Sequence, residues 1–474
     1  MGLIKTAPCF VAGSRIEPES ASKHVIRSLD GSIEVPAATV SPSQLREAIR
    51  YAERSQRLLN RTSLAERTEL VKFALREVAN YREEIAWALA KFRGLVSKDS
   101  HWMCDLLVNW SEQVDELIRA VWGFDYSGSR QIQFKERYMG HLSYMPKGYS
   151  ALISSSTMDG PPGIAAISHA LLAGTHLIVR PSWKDLATHL LFEVLHKHNQ
   201  GHYAQLVRWP SDDEKTMILN QQLLGNVKQG IVFSSDETFE KLMQDTFGAE
   251  RVQVAHRIHR YGTGLPLVIV SGSTDLDQAA RSIVLGARRG NGKFCLSHSP
   301  VLVQKNVYNS LLDKLVSLSS TLKGGDLLNR EVDRGLWETE DLRGLNALMS
   351  RFGGRSAFGS IGDKSMDLVV LEDVSSSSPC LYQEFPGTLL ALIPYENRDE
   401  AIQIAQRSLP ENHREAWTAV NVFGSDEDYQ EFVYDIDAYH FLRGGVTSEP
   451  KFLLPHQGRY FAFDLTRRTT VERE

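Results

Sequence analysis

Four cysteines occur in 474 residues, Cys9, Cys104, Cys295 and Cys380. Cys295 lies in the stretch GNGKFCLSHS (290–299), just after two glycines and just before the β-rich run SPVLVQ. A cysteine in such a turn can attack a carbonyl carbon if it is held as the thiolate, because the thiol itself is a poor nucleophile. Arg288, Arg289 and Lys293 would lower its pKa if they point inward, and Gly290 and Gly292 let the backbone run close to a ligand. Taken alone, the same residue reads more readily as a buried structural cysteine. No two cysteines form a CxxC pair, which argues against a disulfide framework or a zinc site and for a reducing compartment. His256-x-x-His259 has metal-pair spacing on a helix, but no third ligand is evident, so solvent-facing histidines and no metal are expected. The His196–Lys197–His198 run reads as a helix end.

Such residues must be positioned by regular elements, and the chain changes rhythm along its length. SPSQLREAIRYAERSQRLL opens with a capping box in which Ser41 caps, Pro42 takes the first helical position and Gln44 reaches back. Ser63 and Glu66 repeat the device, and a third amphipathic helix covers roughly Lys98 to Val121. From Ser150 onward, short and nearly continuous apolar runs alternate with helical stretches. These runs are SALISSS, HLIVRP (176–181), GIVFSS (230–235) and PLVIVSG (266–272), followed by PVLVQ, DLVVLED, TLLALIPY and TAVNVFG. Strands alternating with helices imply parallel sheets buried on both faces, here two consecutive α/β units. RQIQFKERYMGHLSYMPKG reads as an antiparallel excursion and GRYFAFDLTRRTTVERE as a terminal strand region. Exposed strands there point to pairing with another subunit, as a homodimer or homotetramer.

Length and composition fit a globular protein of two or more domains, with 42% hydrophobic and 23% charged residues. A net charge of −5 without a basic stripe gives no reason to expect nucleic acid. No apolar run approaches the roughly 18 residues a membrane span needs, and no secretory signal opens the chain, so a cytoplasmic protein is expected.

Five segments, in order, resemble the aldehyde dehydrogenase superfamily: ALLAGTHLIVRPSWKD, GIVFSSDETFEKL, LPLVIVSGSTDLDQAARSIVLGARRGNGKFCLSHSPVLVQ, LKGGDLLNREVDRGL and YQEFPGTLLALIPYENRDEAIQIAQRS. The resemblance runs from FVAGSRI to the carboxyl terminus. It implies a Rossmann-like cofactor domain (1–122 and 147–246), an α/β catalytic domain (247–445) and a small β oligomerisation element (123–146 and 446–474). It also implies cofactor binding without the GxGxxG loop, which is absent from this chain.

By this resemblance Cys295 is the nucleophile, attacking an aldehyde or acyl-thioester carbonyl. The family's oxyanion amide falls on Thr157 in SSSTMDGPP, and a two-residue slip would put Asp159 there; a plain Ser/Thr turn is the alternative. Arg260 stands where the family carries its water-activating glutamate, and a guanidinium cannot accept a proton. Hydrolysis of an acyl-cysteine is therefore poorly supported. Transfer to or from a thiol, coenzyme A or a carrier protein, needs no such base, and relatives that handle acyl thioesters also lack the glutamate. Arg260 could instead be kept for an ion pair or bind a substrate anion. The cofactor site would comprise Arg180, Ser182 and Trp183 at the adenosine ribose, Ser234 and Ser235 at the pyrophosphate turn, and Glu384 and Phe385 at the nicotinamide. Trp183 replaces the glutamate of NAD-favouring relatives, which leans toward NADP over NAD. Asp236 competes with phosphate or simply caps a helix. The leading expectation is an NAD(P)-dependent oxidoreductase interconverting an aldehyde and an acyl thioester. Its alternatives are a free-acid-forming aldehyde dehydrogenase and a catalytically degenerate relative.

Overall fold

The computed structural model describes residues 4–19, 24–122, 129–134, 138–210, 215–262, 264–297, 299–411, 416–446, 448 and 461–473. The chain divides into two compact units: Met1–Phe92 with Ser100–Gly262 and Lys451–Glu474, and Arg93–Asp99 with Thr263–Pro450.

The first unit is built on a seven-stranded sheet. Its order is Ile258–Tyr261, Gln229–Phe233, Ser150–Ile153, Leu177–Arg180, Ala204–Leu206, Cys9–Val11 and Ser14–Ile16. The first five strands are parallel, and the last two join antiparallel. Ser150–Ile153 is buried at all four residues, as its unbroken apolar run requires of a strand covered on both faces. The covering helices begin as their sequences dictate. Ser41 and Gln44 form a reciprocal capping box on Pro42–Leu59, and Ser63 and Glu66 form another on Leu64–Ala79. Buried Leu45, Ala48, Ile49 and Ala52 pack with Val40, Ala151, Ile178 and Trp209 into one core. The helix expected over 98–121 spans Ser97–Trp122.

Two expectations shift here. The first unit does not end near 246. Residues 258–261 form a strand parallel to Gln229–Phe233, so the boundary falls at Gly262. The terminal segment begins with a helical turn, Phe461–Asp464, before the strand Thr466–Arg473. That strand pairs antiparallel with Tyr138–Pro146, which pairs with Ser129–Phe134, so the antiparallel excursion and the tail form one three-stranded sheet.

The second unit holds another seven-stranded sheet: Arg355–Phe358, Val369–Glu372, Leu389–Tyr395, Pro300–Gln304, Pro266–Val270, Ala419–Phe423 and Phe441–Arg443. Only Arg355–Phe358 is antiparallel. Its β-branched strands separate two buried layers, one holding Leu267, Ile269, Ile393 and Trp417 and the other Val268, Val270, Ile283 and Leu311. Asp428 locks one end. Its carboxylate accepts from the hydroxyls of Ser271 (2.7 Å) and Ser273 (2.8 Å), caps the helix Asp426–Asp435 with Ser425, and meets Arg398. Those hydrogen bonds hold its pKa at about 2, against the opposing effect of burial. Among the described residues, no helix is long and apolar enough to cross a membrane.

Candidate functional site

In the second unit the helix Leu276–Arg288 is capped by Asp275, whose carboxylate accepts from Asp277 N and Gln278 N. After Arg288 the backbone enters the left-handed region for three successive residues. These are Gly290 (φ 60, ψ 28), Asn291 (φ 58, ψ 28) and Gly292 (φ 66). Glycine adopts this region freely, whereas asparagine needs local polar support. A Cβ on Gly290 would collide with the Phe294 ring, and one on Gly292 with the carbonyl of Gly387. The turn delivers Cys295, which is half-buried while the other three cysteines are buried. Burial pushes the Cys9 thiol up to about 11 and those of Cys104 and Cys380 to about 12.

Two other segments close on Cys295. Gly264 lies so near that a Cβ there would strike the Cys295 carbonyl. The carboxylate of Glu384 accepts the Gly264 amide at 3.0 Å. Gly264, the 290–297 segment and the 384–388 segment therefore meet within this unit. Phe385 takes a different place. It is buried in the apolar core, edge-on to Phe352 with ring centres 5.8 Å apart, because its ring has better packing inside than at a ligand. Two of the cations expected to activate the thiol have other partners. Arg288 meets Asp99 at 3.2 Å, and the Lys293 ammonium sits 3.8 Å from the centre of the Trp337 ring.

The first unit supplies a nucleotide-type crevice. The chain lays down 150–153, 177–180 and 204–206 in one direction. It then returns to place 229–233 on the opposite flank of 150–153. At such a reversal the loops leaving the carboxyl ends of adjacent strands part and leave a cleft. Here those loops follow Ile153 and Phe233. The first carries Thr157, half-buried, with its hydroxyl 2.8 Å from that of Ser155. Asp159, the other aligned position, is buried and accepts from the Ser182 hydroxyl at 2.6 Å. In the second loop Ser235, not Asp236, caps the helix Asp236–Phe247. Asp236 lies in the first helical turn and is ion-paired with Arg260 at 2.7 Å, and the Arg260 guanidinium also lies 5.7 Å from the Phe239 ring centre. Arg260 is thus turned to a carboxylate. Its neighbour His259 faces the other way along the strand, bonded to Gln229 at 2.7 Å.

The neighbouring loop carries the other expected cofactor residues. Arg180 ends its strand with the guanidinium 5.1 Å from the Trp209 ring centre, and burial pushes its pKa down to about 10, with Arg208 adding to the effect. Trp183 packs beside Trp87 against a small core. Its carbonyl accepts from the wholly buried Arg208, which also holds the carbonyls of Ser182 and Asp185. Among the described residues, the Ser234 hydroxyl and the Trp209 indole N–H are buried without a hydrogen-bond partner. Two orphaned donors, a helix amino terminus whose aspartate is neutralised, and a strand-end arginine fit the phosphates and hydroxyls of a dinucleotide. His256 falls in a 3-10 turn and His259 in a strand, so the helical metal pair does not form, and no metal-ligating cluster exists among the described residues.

Three residues escaped the sequence reading. Asp99 and Asn291 contact or form the cysteine turn, and the Asn between two glycines was the available signal for the latter. Ser297 has a buried hydroxyl without a partner two residues beyond Cys295, and nothing local marks it.

One unit carries a crevice at a strand-order reversal, and the other carries a cradled cysteine; each is a feature of an α/β dehydrogenase-type chain. The aldehyde dehydrogenase family model matches residues 16–419, and the chain belongs to that family. Succinate-semialdehyde dehydrogenase (NADP+) 1 of Mycobacterium bovis is 28% identical over 201 residues, covering 40% of this chain and 42% of that protein. 1-Pyrroline-5-carboxylate dehydrogenase 1 of Halalkalibacterium halodurans is 29% identical over 154 residues, 31% of this chain and 30% of that protein. The matches therefore span less than half the length of these curated relatives. The crystal structure of an NAD-dependent aldehyde dehydrogenase from Sinorhizobium meliloti has the same fold, with a TM-score of 0.83 at 19% identity over 99% of this chain and 94% of that one.

Proposed function

We propose that the protein is an NAD(P)-dependent oxidoreductase that interconverts an aldehyde and an acyl thioester through a covalent adduct on Cys295. Family membership and the relatives' cofactors support NAD(P)-linked aldehyde chemistry. The ion pair between Arg260 and Asp236 carries the thioester assignment. The position that would activate water bears a permanent cation engaged by a carboxylate, so the adduct is resolved by a thiol, coenzyme A or a carrier-bound thiol, which brings its own nucleophile.

The nicotinamide, when bound, supplies the hydride acceptor or donor. The chain's own residues do the rest. The turn at 290–292 sets the thiolate against the carbonyl carbon. The Cys295 backbone N–H is the donor for the developing oxyanion. Arg180, Ser182, Ser234 and Ser235 hold the dinucleotide, with NADP preferred because no carboxylate stands at Trp183 to repel a 2′-phosphate. Gly264 packs against the Cys295 backbone carbonyl and holds the chain at the nucleophile in place.

The test is oxidation of NADPH or NADH, followed by absorbance, with acyl-coenzyme A substrates of increasing chain length. Thioester-dependent turnover that is lost in Cys295→Ala supports the reading. Aldehyde oxidation at an equal rate without any thiol acceptor would replace it with the free-acid reaction. For that reaction Glu384, bonded to the residue touching Cys295, is the carboxylate to examine.

A further inference from the structure

We infer that Asp99 is a positioning residue for Cys295, so that a short strap leading into the first turn of an amino-terminal helix, distant in sequence, sets the reactivity of the nucleophile. The inference rests on the assignment of Cys295 as the nucleophile. The strap is Arg93–Asp99, the part of the amino-terminal region that clusters with the second unit. Its first residue closes the helix Arg82–Arg93 and its last three open the helix Ser97–Trp122, so Asp99 stands in that helix's first turn.

The strap grips the left-handed turn from both ends. Asp99 is 3% exposed, and its two carboxylate oxygens divide their work. One accepts the Gly290 amide at 2.9 Å, and the other meets the Arg288 guanidinium at 3.2 Å. Arg288, itself 8% exposed, ends the helix that leads into the turn. At the other end of the strap, the carbonyl of Gly94 accepts the Asn291 side-chain amide at 2.9 Å. The strap is anchored in turn, with the Ser97 amide donating to the Leu327 carbonyl, the Leu336 amide donating to the Gly94 carbonyl, and Lys98 paired with Asp333. Gly335 leaves room for the Asn291 amide, since a Cβ there would collide with it.

Three consecutive left-handed residues do not hold that shape unaided, and the Asn291 backbone is disfavoured without support. The N–H of Gly290, facing the protein interior, would be an unpaired buried donor but for Asp99. The carboxylate does a second job. It balances Arg288, a buried guanidinium seven residues before the sulfur. Asp333, paired with Lys98, is the other carboxylate in the field of Arg288. Removing the Asp99 carboxylate leaves more net positive charge beside the turn, which favours an anion at its end, the Cys295 thiolate. Removing it also frees the turn, which misplaces the sulfur. The two effects act oppositely on chemical reactivity and on turnover.

That opposition makes the test specific. Native alkylation by iodoacetamide reports Cys295, because the other three thiols are buried. Its rate is measured against pH in the parent, Asp99→Asn and Asp99→Ala, beside kcat and KM for the best substrate and the melting temperature. The expected result is an alkylation midpoint lowered by about half a pH unit or more in both variants. With it, kcat should fall about tenfold or more at nearly constant KM, and further in Asp99→Ala than in Asp99→Asn, which keeps an acceptor for Gly290. A variant with Asp99→Asn and Arg288→Met lacks both charges of the pair, and its midpoint should return to the parent value. It replaces Asp99→Ala if that chain does not fold. Folded variants with an unchanged alkylation midpoint, whatever their melting temperature, would overturn the inference. A parent inert toward every carbonyl would refute the proposed reaction instead, while the alkylation profiles still decide the role of Asp99.

Discussion

The first unit should lose stability steeply on mild acidification, well before its carboxylates titrate. Among the described residues, four histidines are buried in it, His101, His169, His176 and His189, and burial lowers the pKa of the last three. Burial holds His169 and His176 down to about 4 and His189 down to about 3, with Arg208 and Arg15 adding to the effect at His189. The hydrogen bonds of His176 show why it resists a proton. One ring nitrogen meets the His202 carbonyl at 2.7 Å and so carries the hydrogen, leaving the other to accept from the Gln205 amide at 2.8 Å. The Gln205 oxygen is already taken by the Ala12 amide, so the side chain cannot turn over to accept from a charged imidazole. Each folded pKa lies below the unfolded value of about 6.5, so unfolding takes up protons, and stability present above pH 6.5 is lost as pH falls toward 4. Near pH 5.25 about 2.7 protons are taken up, a slope of about 4 kcal/mol per pH unit. Between pH 6.5 and 5 the loss is about 5 kcal/mol, comparable with the whole stability of many domains. Thermal melts at fixed ionic strength across this range measure it. Replacing His189 with glutamine should remove about a third of the slope. A melting temperature flat from pH 6.5 to 5, or a slope unchanged in that variant, would refute the reasoning.

Three further outcomes follow from the geometry. At pH 8 the buried thiols of Cys9, Cys104 and Cys380 carry at most about one thiolate in a thousand, so native alkylation should stop at one equivalent per chain and vanish in Cys295→Ala, as mass spectrometry would show. Gly264→Ala should leave the melting temperature lowered and turnover reduced by about a hundredfold, since its Cβ must displace the Cys295 carbonyl, and a kinetic assay of the folded variant checks this. Arg260→Ala should weaken NADPH binding by about tenfold in calorimetry by leaving Asp236 unpaired at a helix amino terminus, while Asp236→Ala in the same chain should restore it.

The parallel strands were legible because each is a short, unbroken β-branched run, and the capped helices because Ser41–Gln44 and Ser63–Glu66 carry reciprocal side chains. Ala204–Leu206 and Cys9–Val11 are three residues long, too short to show a period, and join the sheet only through long-range pairing. The tight turn before Cys295 was legible through Gly290 and Gly292, which take left-handed backbone there. Phe385 was misplaced because adjacency to Glu384 in sequence does not fix which side a ring faces, and burial in the core decided it. Asp99 was invisible because its partners lie about 190 positions downstream, a separation no local pattern can encode.

Arg260 and Asp236 show how such long-range facts change meaning. In the sequence they are two unrelated departures, a lost base and an acidic residue where phosphate should bind. In the fold they are one ion pair, formed because the parallel register sets Val232 opposite Arg260, so the loop after one strand begins beside the end of the next. Either substitution alone would be harmful, since an aspartate without the arginine repels the cofactor's phosphates, and an arginine without the aspartate brings a free cation to that cleft. On the proposed reading, together they would leave the phosphate turn close to neutral and the water-activating position without a base. The pair is half exposed and adds about 0.5 kcal/mol at most to stability. Under the proposed thioester reaction its consequence is therefore chemical: it would keep the nucleotide cleft usable where a permanent cation takes the place of a water-activating base.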